Sequence, residues 1–264
     1  NTKMIKTKVI GRVFRQDEIA DQIYDMWIET ELAQGARPGQ FVCVYTKNAA
    51  ALLPRPISIC EVNEEKTMLR LVYRTVGTGT NEFAAYHAGT EISLLGPLGN
   101  GFPVEKAAGK RVFLIGGGIG IPPMLQLSKE IKKAGQAYCE LSVLGYRNEL
   151  FLNTDLEKYS QVYVATEDGS AGTKGTVLDA IKEKGLSGDV IFACGPMPML
   201  RAIKEYAAAN NMEAYISLEE HMACGVGACL GCVCKTKNVD AHSHVHNSRI
   251  CTDGPVYNAE EVEI

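Results

Sequence analysis

The chain has 264 residues, 46% of them apolar and 22% charged, and a net charge of −4. That length suits two domains and a small appendage, and the composition is that of an ordinary globular protein. The acidic balance offers no basic surface for nucleic acid, and no apolar run approaches the span of a bilayer, so neither a nucleic-acid nor a membrane partner is expected.

Residues 1–8 carry lysines with no apolar run behind them, so no signal peptide is expected. Of the nine cysteines, Cys43, Cys60, Cys139 and Cys194 stand singly in apolar or strand-like stretches, and the other five lie between 224 and 251. This distribution points to a reducing cytoplasm and one metal site, not to a disulfide framework.

From residue 7 to about 95 the pattern is short strands separated by turns. Strands are predicted at 7–14, 23–29, 40–45, 57–61, 69–73 and 91–95, punctuated by Gly35, Pro38-Gly39, Pro54 and Gly89. Six short strands at this spacing predict a small antiparallel barrel. Two stretches inside it carry chemistry. One is Arg55-Pro56-Ile57-Ser58. The other is Val72-Tyr73-Arg74, followed by Gly77-Thr78-Gly79-Thr80 and a helical run at 81–87. Thr80 is the expected N-cap and Gly89 the expected stop. A glycine-rich turn opening a helix offers free N–H groups to a phosphate, and Arg55 offers a guanidinium fork. Taken singly, the arginine reads equally as a surface residue and the glycines as a plain turn.

Residues 96–103 read as a linking loop, after which the composition changes. A continuous apolar strand at 111–115 runs into Gly116-Gly117-Gly118-Ile119-Gly120-Ile121-Pro122-Pro123 and a helix at 124–133. Strands at 140–144, 162–165 and 190–193 alternate with helices at 150–158, 177–184 and 197–210, a doubly wound α/β pattern. The glycine turn lacks the usual G-x-G-x-x-G order, and the second strand ends in Gly145-Tyr146-Arg147 with no carboxylate there. Two further features favour a nucleotide. Glu167 and Asp168 follow one strand and Cys194-Gly195-Pro196 follows another, at the ends where open α/β sheets bind ligands. Cys194 also reads as a buried small hydrophobe.

Beyond a strand at 215–218 comes Cys224-Gly225-Val226-Gly227-Ala228-Cys229-Leu230-Gly231-Cys232, with Cys251 after a gap. This C-x4-C-x2-C order with one distant cysteine is that of a plant-type [2Fe–2S] ferredoxin. Gly225 and Gly227 permit the backbone to pass close to the sulfides with positive φ. The alternative is structural zinc, which usually takes two short cysteine pairs where this stretch offers one. Cys234 competes with Cys251 for the fourth position. It lies two residues past Cys232, about 6.6 Å away if the segment is extended, which is long for one small cluster. Cys224, Cys229, Cys232 and Cys251 are therefore the expected ligands. His242, His244 and His246 can bind metal, but read as part of a solvated loop.

The barrel stretches resemble the flavin-binding barrel of the ferredoxin–NADP reductase superfamily, where R-x-[YF]-[ST] holds FAD and a second loop and helix cradle its pyrophosphate. Ile57 stands where a tyrosine is usual, so the flavin contact falls to the 55–58 backbone and Ser58. GGG-x-G-x-x-P and C-G-P are similar to that superfamily's NAD(P) domain, whose C-G-P cysteine lies near the nicotinamide; this makes Cys194 the catalytic candidate. The whole order resembles the electron-transfer subunits of the NAD-linked, two-subunit (class 1B) dihydroorotate dehydrogenases. It runs from an FAD barrel (1–103) through an NAD-binding α/β domain (104–215) to a [2Fe–2S] segment (216–264) ending Cys251-Thr252-Asp253-Gly254-Pro255-Val256. The resemblance implies FAD, a [2Fe–2S] cluster and NAD. It also implies an FMN-containing catalytic partner that oxidises dihydroorotate in pyrimidine biosynthesis, in a heterotetramer of two of each. Electrons would pass from that FMN to the cluster, to FAD and to NAD+. Nothing in this chain resembles a dihydroorotate site, so substrate oxidation belongs to the partner. An electron-transfer subunit of a hydrogenase, sulfite reductase or bifurcating reductase is the alternative, and a non-catalytic module with a structural metal is another.

Overall fold

The computed structural model describes residues 8–240 and 244–264. The N-terminal lysines before Lys8, the first residue of the first expected strand and His242 lie outside the described residues.

The first six strands are β1 (Lys8–Ala20), β2 (Ile23–Glu29), β3 (Phe41–Tyr45), β4 (Arg55–Val62), β5 (Met68–Arg74) and β6 (Glu91–Leu98). They close into an antiparallel barrel in the order β1-β2-β5-β4-β3-β6. Alternation fills its interior: Val13, Met26, Ile28, Val42, Val44, Ile57, Ile59, Leu69, Leu71 and Tyr73 point inward. β1 runs six residues beyond its expected end, because Arg15 to Ala20 pair with Trp27 to Ile23 of β2. The charged residues of that stretch masked a strand whose ladder is closed by a two-residue turn at Asp21 and Gln22.

Helix α1 (Thr78–Ala84) follows β5 and starts earlier than expected. Thr80 is not its N-cap. It sits inside the first turn, and its hydroxyl accepts the N–H groups of Val76 at 2.9 Å and Gly77 at 3.2 Å. At the other end the Gln16 amide donates to the carbonyls of Phe83, Ala84 and Tyr86. These bonds satisfy the carbonyls of the last turn from outside the helix. Gly89, at φ +88°, belongs to the turn into β6 and does not end the helix.

The second layer alternates β7 (Arg111–Gly117), α2 (Pro122–Ala134), β8 (Cys139–Tyr146), α3 (Asn153–Leu156), β9 (Gln161–Thr166), β10 (Thr173–Lys174), α4 (Val177–Glu183), β11 (Val190–Cys194), α5 (Met197–Ala209) and β12 (Glu213–Ser217). Prolines open α2, where N–H groups lack helical partners anyway, and Gly135 ends it in the left-handed conformation. α3 is a single turn, shorter than the expected helix.

The final segment adds the short hairpin β13 (Val233–Lys235) and β14 (Asn247–Arg249), and then β15 (Val256–Asn258). β15 pairs antiparallel with β12, Ile216 opposite Tyr257, so the second sheet runs β10-β9-β8-β7-β11-β12-β15. The boundary expected at 215/216 therefore falls inside β12. The cysteine-bearing segment joins the sheet through β15. No described helix is long and apolar enough to cross a membrane.

The barrel and the α/β layer are locked together by buried charge. Arg70 of β5 forks Asp25 of β2 at 2.7 and 2.9 Å and reaches Glu61 of β4 at 3.0 Å and Asp155 of α3 at 3.4 Å. Lys129 of α2 completes the network at 3.3 Å from Glu61.

Candidate functional site

The two barrel stretches singled out in the sequence meet in space. Arg55 at the start of β4 lies against Gly79 in the first turn of α1, where any β carbon would collide with its guanidinium. Its Nη1 donates to the Leu53 carbonyl. With Val76 and Gly77 engaged by Thr80, the N–H groups of Thr78 and Gly79 open the first turn of α1, where N–H groups have no intrahelical partner. Along β4, Ile57 is buried in the barrel while Pro56 is exposed and Ser58 half-buried. Along β5, Tyr73 points into the barrel, stacked on Tyr24 at 5.9 Å, and donates to Gln16 at 2.7 Å. Val72 faces the α/β layer, and Arg74 is exposed. An aromatic stack from Tyr73 onto a ligand is thus not available; Ser58, Arg55 and backbone groups are.

A cleft of about 630 Å³ runs between the barrel hairpin after β1 and the C-terminal ends of the parallel strands. Gly117, Gly118, Arg147, Glu167, Pro196 and Arg74 all line it. Gly118, with φ +52°, has nothing within 4 Å of a hypothetical β carbon and opens onto the space. The other glycines of that turn serve packing. A side chain at Gly116 would meet Ile121 at 2.9 Å, one at Gly117 would meet Met199 at 2.5 Å, and one at Gly120 would collide with the Cys194 backbone. Asp168 turns away from the lining and accepts the Ser170 N–H at 2.9 Å. Cys194 ends β11 with 0% exposure, and burial pushes its thiol pKa up. Its neighbour Pro196, past Gly195, is what reaches the cleft surface.

The cysteine loop is wound as its glycines require, with Gly225 at φ +69° and Gly227 at φ +83°. Leu230 also adopts φ +57°, at a cost of roughly 1–2 kcal/mol, which no sequence signal marked. The Cys224 sulfur accepts the N–H groups of Val226 at 3.4 Å, Ala228 at 3.3 Å and Cys229 at 3.4 Å. Partial burial raises the thiol pKa, but these donors outweigh it and hold Cys224 down at about 6. Cys251 is fully buried beside the Cys232 thiol; burial and that neighbour push it up to about 12. Gly227 aims its N–H at Cys251, so the first loop reaches the last ligand candidate.

Among the described residues no three His, Cys, Asp or Glu side chains crowd one point closely enough to hold a single ion. The thiols stand instead as Cys224 with Cys229 and Cys232 with Cys251. Two thiol pairs fit two irons, and the inward N–H groups fit sulfur acceptors, so this donor set suits a [2Fe–2S] cluster. Cys234, in β13, points instead to the Tyr257 hydroxyl. Val226, Leu230 and Val233 leave 42%, 56% and 39% of their surface exposed around the loop.

The sequence reading missed the barrel groups that seat this loop. Asn100, just beyond β6, donates its amide to the carbonyls of Thr252 at 3.1 Å and Asp253 at 3.0 Å, and its N–H to Gly254 at 2.6 Å. Cys43 of β3 touches Gly225 from the other side. Only the coincidence of a buried cysteine and a cysteine loop hinted at the latter.

Residues 219–263 match the family model for the iron–sulfur cluster binding domain of dihydroorotate dehydrogenase B, and residues 114–205 match the oxidoreductase NAD-binding domain. Curated relatives named dihydroorotate dehydrogenase B (NAD(+)), electron transfer subunit, match nearly end to end. The Bacillus velezensis protein is 44% identical over 252 residues, covering 94% of this chain and 95% of its own. The Listeria monocytogenes protein is 40% identical over 262 residues, covering 99% and 100%. Among solved structures, a chain of the NADH-dependent reduced ferredoxin-NADP oxidoreductase studied for flavin-based electron bifurcation superposes with TM-score 0.86 at 29% identity, covering 97% of this chain and 90% of that one. A Neisseria gonorrhoeae ferredoxin NADP+ reductase with bound FAD and NADP shares the fold, with TM-score 0.65 at 15% identity over 78% of this chain and 91% of its own.

Proposed function

Because the chain belongs to the family of dihydroorotate dehydrogenase B electron-transfer subunits, we propose that it carries electrons from a catalytic subunit through its cluster and FAD to NAD+. The near end-to-end identity with those subunits, 40–44% in the relatives above, carries the reading. The chain is an NAD-linked oxidoreductase subunit of pyrimidine biosynthesis, with FAD, a [2Fe–2S] cluster and NAD. A nicotinamide exchanges two electrons with its hydride and a cluster one, and FAD does both, which is why it stands between them.

In this reading residues 1–103 hold FAD, 104–215 bind NAD and 216–264 hold the cluster. Arg55, with the free N–H groups of Thr78 and Gly79, takes the FAD pyrophosphate, and Ser58 with the backbone of Pro56 and Ile57 faces the ring. Val72, Tyr73, Arg74, Gly77 and Thr80 shape that seat. Gly118 offers the phosphate approach for NAD, supported by Gly116, Gly117 and Gly120. Glu167 in the cleft, with Asp168 behind it, disfavours a 2′-phosphate. Gly195 and Cys194 close the nicotinamide end. Cys224, Cys229, Cys232 and Cys251 ligate the cluster.

The catalytic partner carries FMN, pairs two-to-two with this chain, and docks over the apolar rim of Val226, Leu230 and Val233. The complex works in the cytoplasm. Mixing the holoprotein with an FMN-containing dihydroorotate-oxidising subunit tests this. Dihydroorotate-dependent NADH formation is expected only when both are present. The likeness to the bifurcation-related chain, at TM-score 0.86, favours a second reading in which another reductase is the partner. Failure with dihydroorotate but NADH-driven reduction of such a partner would select it.

A further inference from the structure

We propose that Cys43 is the positioning residue that holds the cluster loop at electron-transfer distance from the flavin stretch. The inference rests on the function proposed above.

Cys43 lies in the middle of β3, between Val42 and Val44, both of which point into the barrel. Alternation therefore turns the Cys43 side chain outward. There it is 0% exposed and packs in the same apolar cluster as Met222, Cys232 and Cys251. Two contacts define its role. Across the β3–β4 ladder Cys43 is paired with Pro56, and the neighbouring pairs are Val42 with Ile57 and Phe41 with Ser58. Directly opposed residues share a face, so Cys43 stands beside the outward residue of the Arg55–Ser58 stretch. On the other side its Sγ rests on Gly225, where a β carbon would come within 2.8 Å of it and 3.2 Å of Leu98 Cδ1. Gly225 directly follows Cys224, whose sulfur receives three N–H groups of the same loop.

One side chain thus spans from the flavin strand to the first cluster ligand. Its size decides the fit. A methyl group in its place leaves a gap, and a small radial gap already forfeits much of the dispersion contact that seats the loop. Gly225 in turn has no room for a β carbon against this sulfur. The Cys251 end of the loop is fixed independently by Asn100, and Gly99 packs 2.5 Å from Pro255 by the same measure. The cluster is therefore clamped at both ends to the barrel, and Cys43 is the clamp that touches the flavin stretch. In the step concerned, one electron leaves the reduced flavin and one enters the cluster. No bond is made or broken at Cys43.

The test compares full chains loaded with FAD and cluster: unaltered, Cys43→Ala, Cys43→Ser, and Cys139→Ala as a control at the start of β8. Rapid mixing with NADH, with freeze-quench EPR, separates flavin reduction from cluster reduction. Flavin reduction should be unchanged in all four. Cluster reduction should slow roughly 10- to 100-fold in Cys43→Ala, the usual cost of losing a group that orients a metal ligand from outside its coordination sphere. Its EPR line shape should shift as the Cys224 loop relaxes. Cys43→Ser should restore both. An unshifted signal and unslowed cluster reduction in Cys43→Ala would overturn the inference. So would loss of iron in both Cys43 variants, which would make Cys43 a ligand. Absence of flavin or iron from the unaltered chain would instead sink the proposed function.

Discussion

Arg55 and Gly79 are in such close contact that a β carbon at position 79 would stand 2.7 Å from the guanidinium carbon. The glycine is there to let the arginine lie over the turn, not to relieve the backbone. Gly79→Ala should push the guanidinium away from the first turn of α1 and lower FAD occupancy while leaving the barrel folded. Arg55→Ala removes a charge-assisted contact of about 1.5–3 kcal/mol, or one to two decades of affinity. Flavin fluorescence released by acid after dialysis reads both. Full FAD retention in both variants would contradict the placement of the pyrophosphate.

Arg70 is the hinge pin between barrel and α/β layer. It is buried with Asp25 and bonds to Glu61 and Asp155. Arg70→Met takes the ion-pair partner from Asp25, whereas Glu61 keeps Lys129 and Asp155 keeps Lys158, and breaking a buried pair typically costs about 3–5 kcal/mol. The double variant Arg70→Met with Asp25→Asn should recover part of the loss, because the most buried charge is then gone. Denaturant unfolding of the three proteins checks this. Equal stability of the single and double variants would show that Asp25 is not the group left stranded.

Glu140 gives stability a pH dependence. Burial on β8 pushes its carboxyl up to about 7, although Ser128 donates to it at 3.0 Å and Lys132 lies near. Its folded pKa lies above its unfolded value near 4.5, so the folded state holds the proton more tightly between those values. Stability from this group is greatest below pH 4.5 and declines as pH rises through about 7. Glu140→Gln should raise Tm at pH 8 and do so less at pH 5. The opposite ordering would mean that the carboxylate is solvated.

The barrel, the doubly wound sheet and the cysteine loop were legible because each writes its own period or spacing. β2 matched residue for residue, since Ile23, Tyr24, Trp27 and Ile28 are the β-branched and aromatic types that strands favour. The end of β1 was not legible, because Arg15, Asp17 and Glu18 hide a ladder visible only once β2 is opposite. α1 was displaced by three residues because a threonine before a helical run reads as a cap, whereas Thr80 caps from within. The glycine turn at 116–120 read as a phosphate loop throughout, yet Gly116, Gly117 and Gly120 answer to Ile121, Met199 and the Cys194 backbone. The seat of the cluster was invisible because Cys43 and Asn100 lie more than a hundred residues from the cysteines they serve.

Two cysteines compete for the fourth ligand position, and they have different surroundings. Cys251 is buried against Cys232, receives the Gly227 N–H, and sits in a turn that Asn100 grips through Thr252 and Asp253. Arg249 braces the same turn, pairing with Asp253 at 3.1 Å. Cys234 is paired with Ser248 across the β13–β14 hairpin and turns toward Tyr257. Cys234 is thus engaged by the hairpin and Tyr257, whereas Cys251 lies beside Cys232. Cys251→Ala should therefore abolish or cripple cluster assembly, and Asn100→Ala should lower iron content more mildly by loosening the turn. Cys234→Ala should leave iron content and the reduced-state EPR signal intact. If Cys234→Ala loses the signal while Cys251→Ala keeps it, the hairpin opens in the holoprotein and the ligand role passes to Cys234.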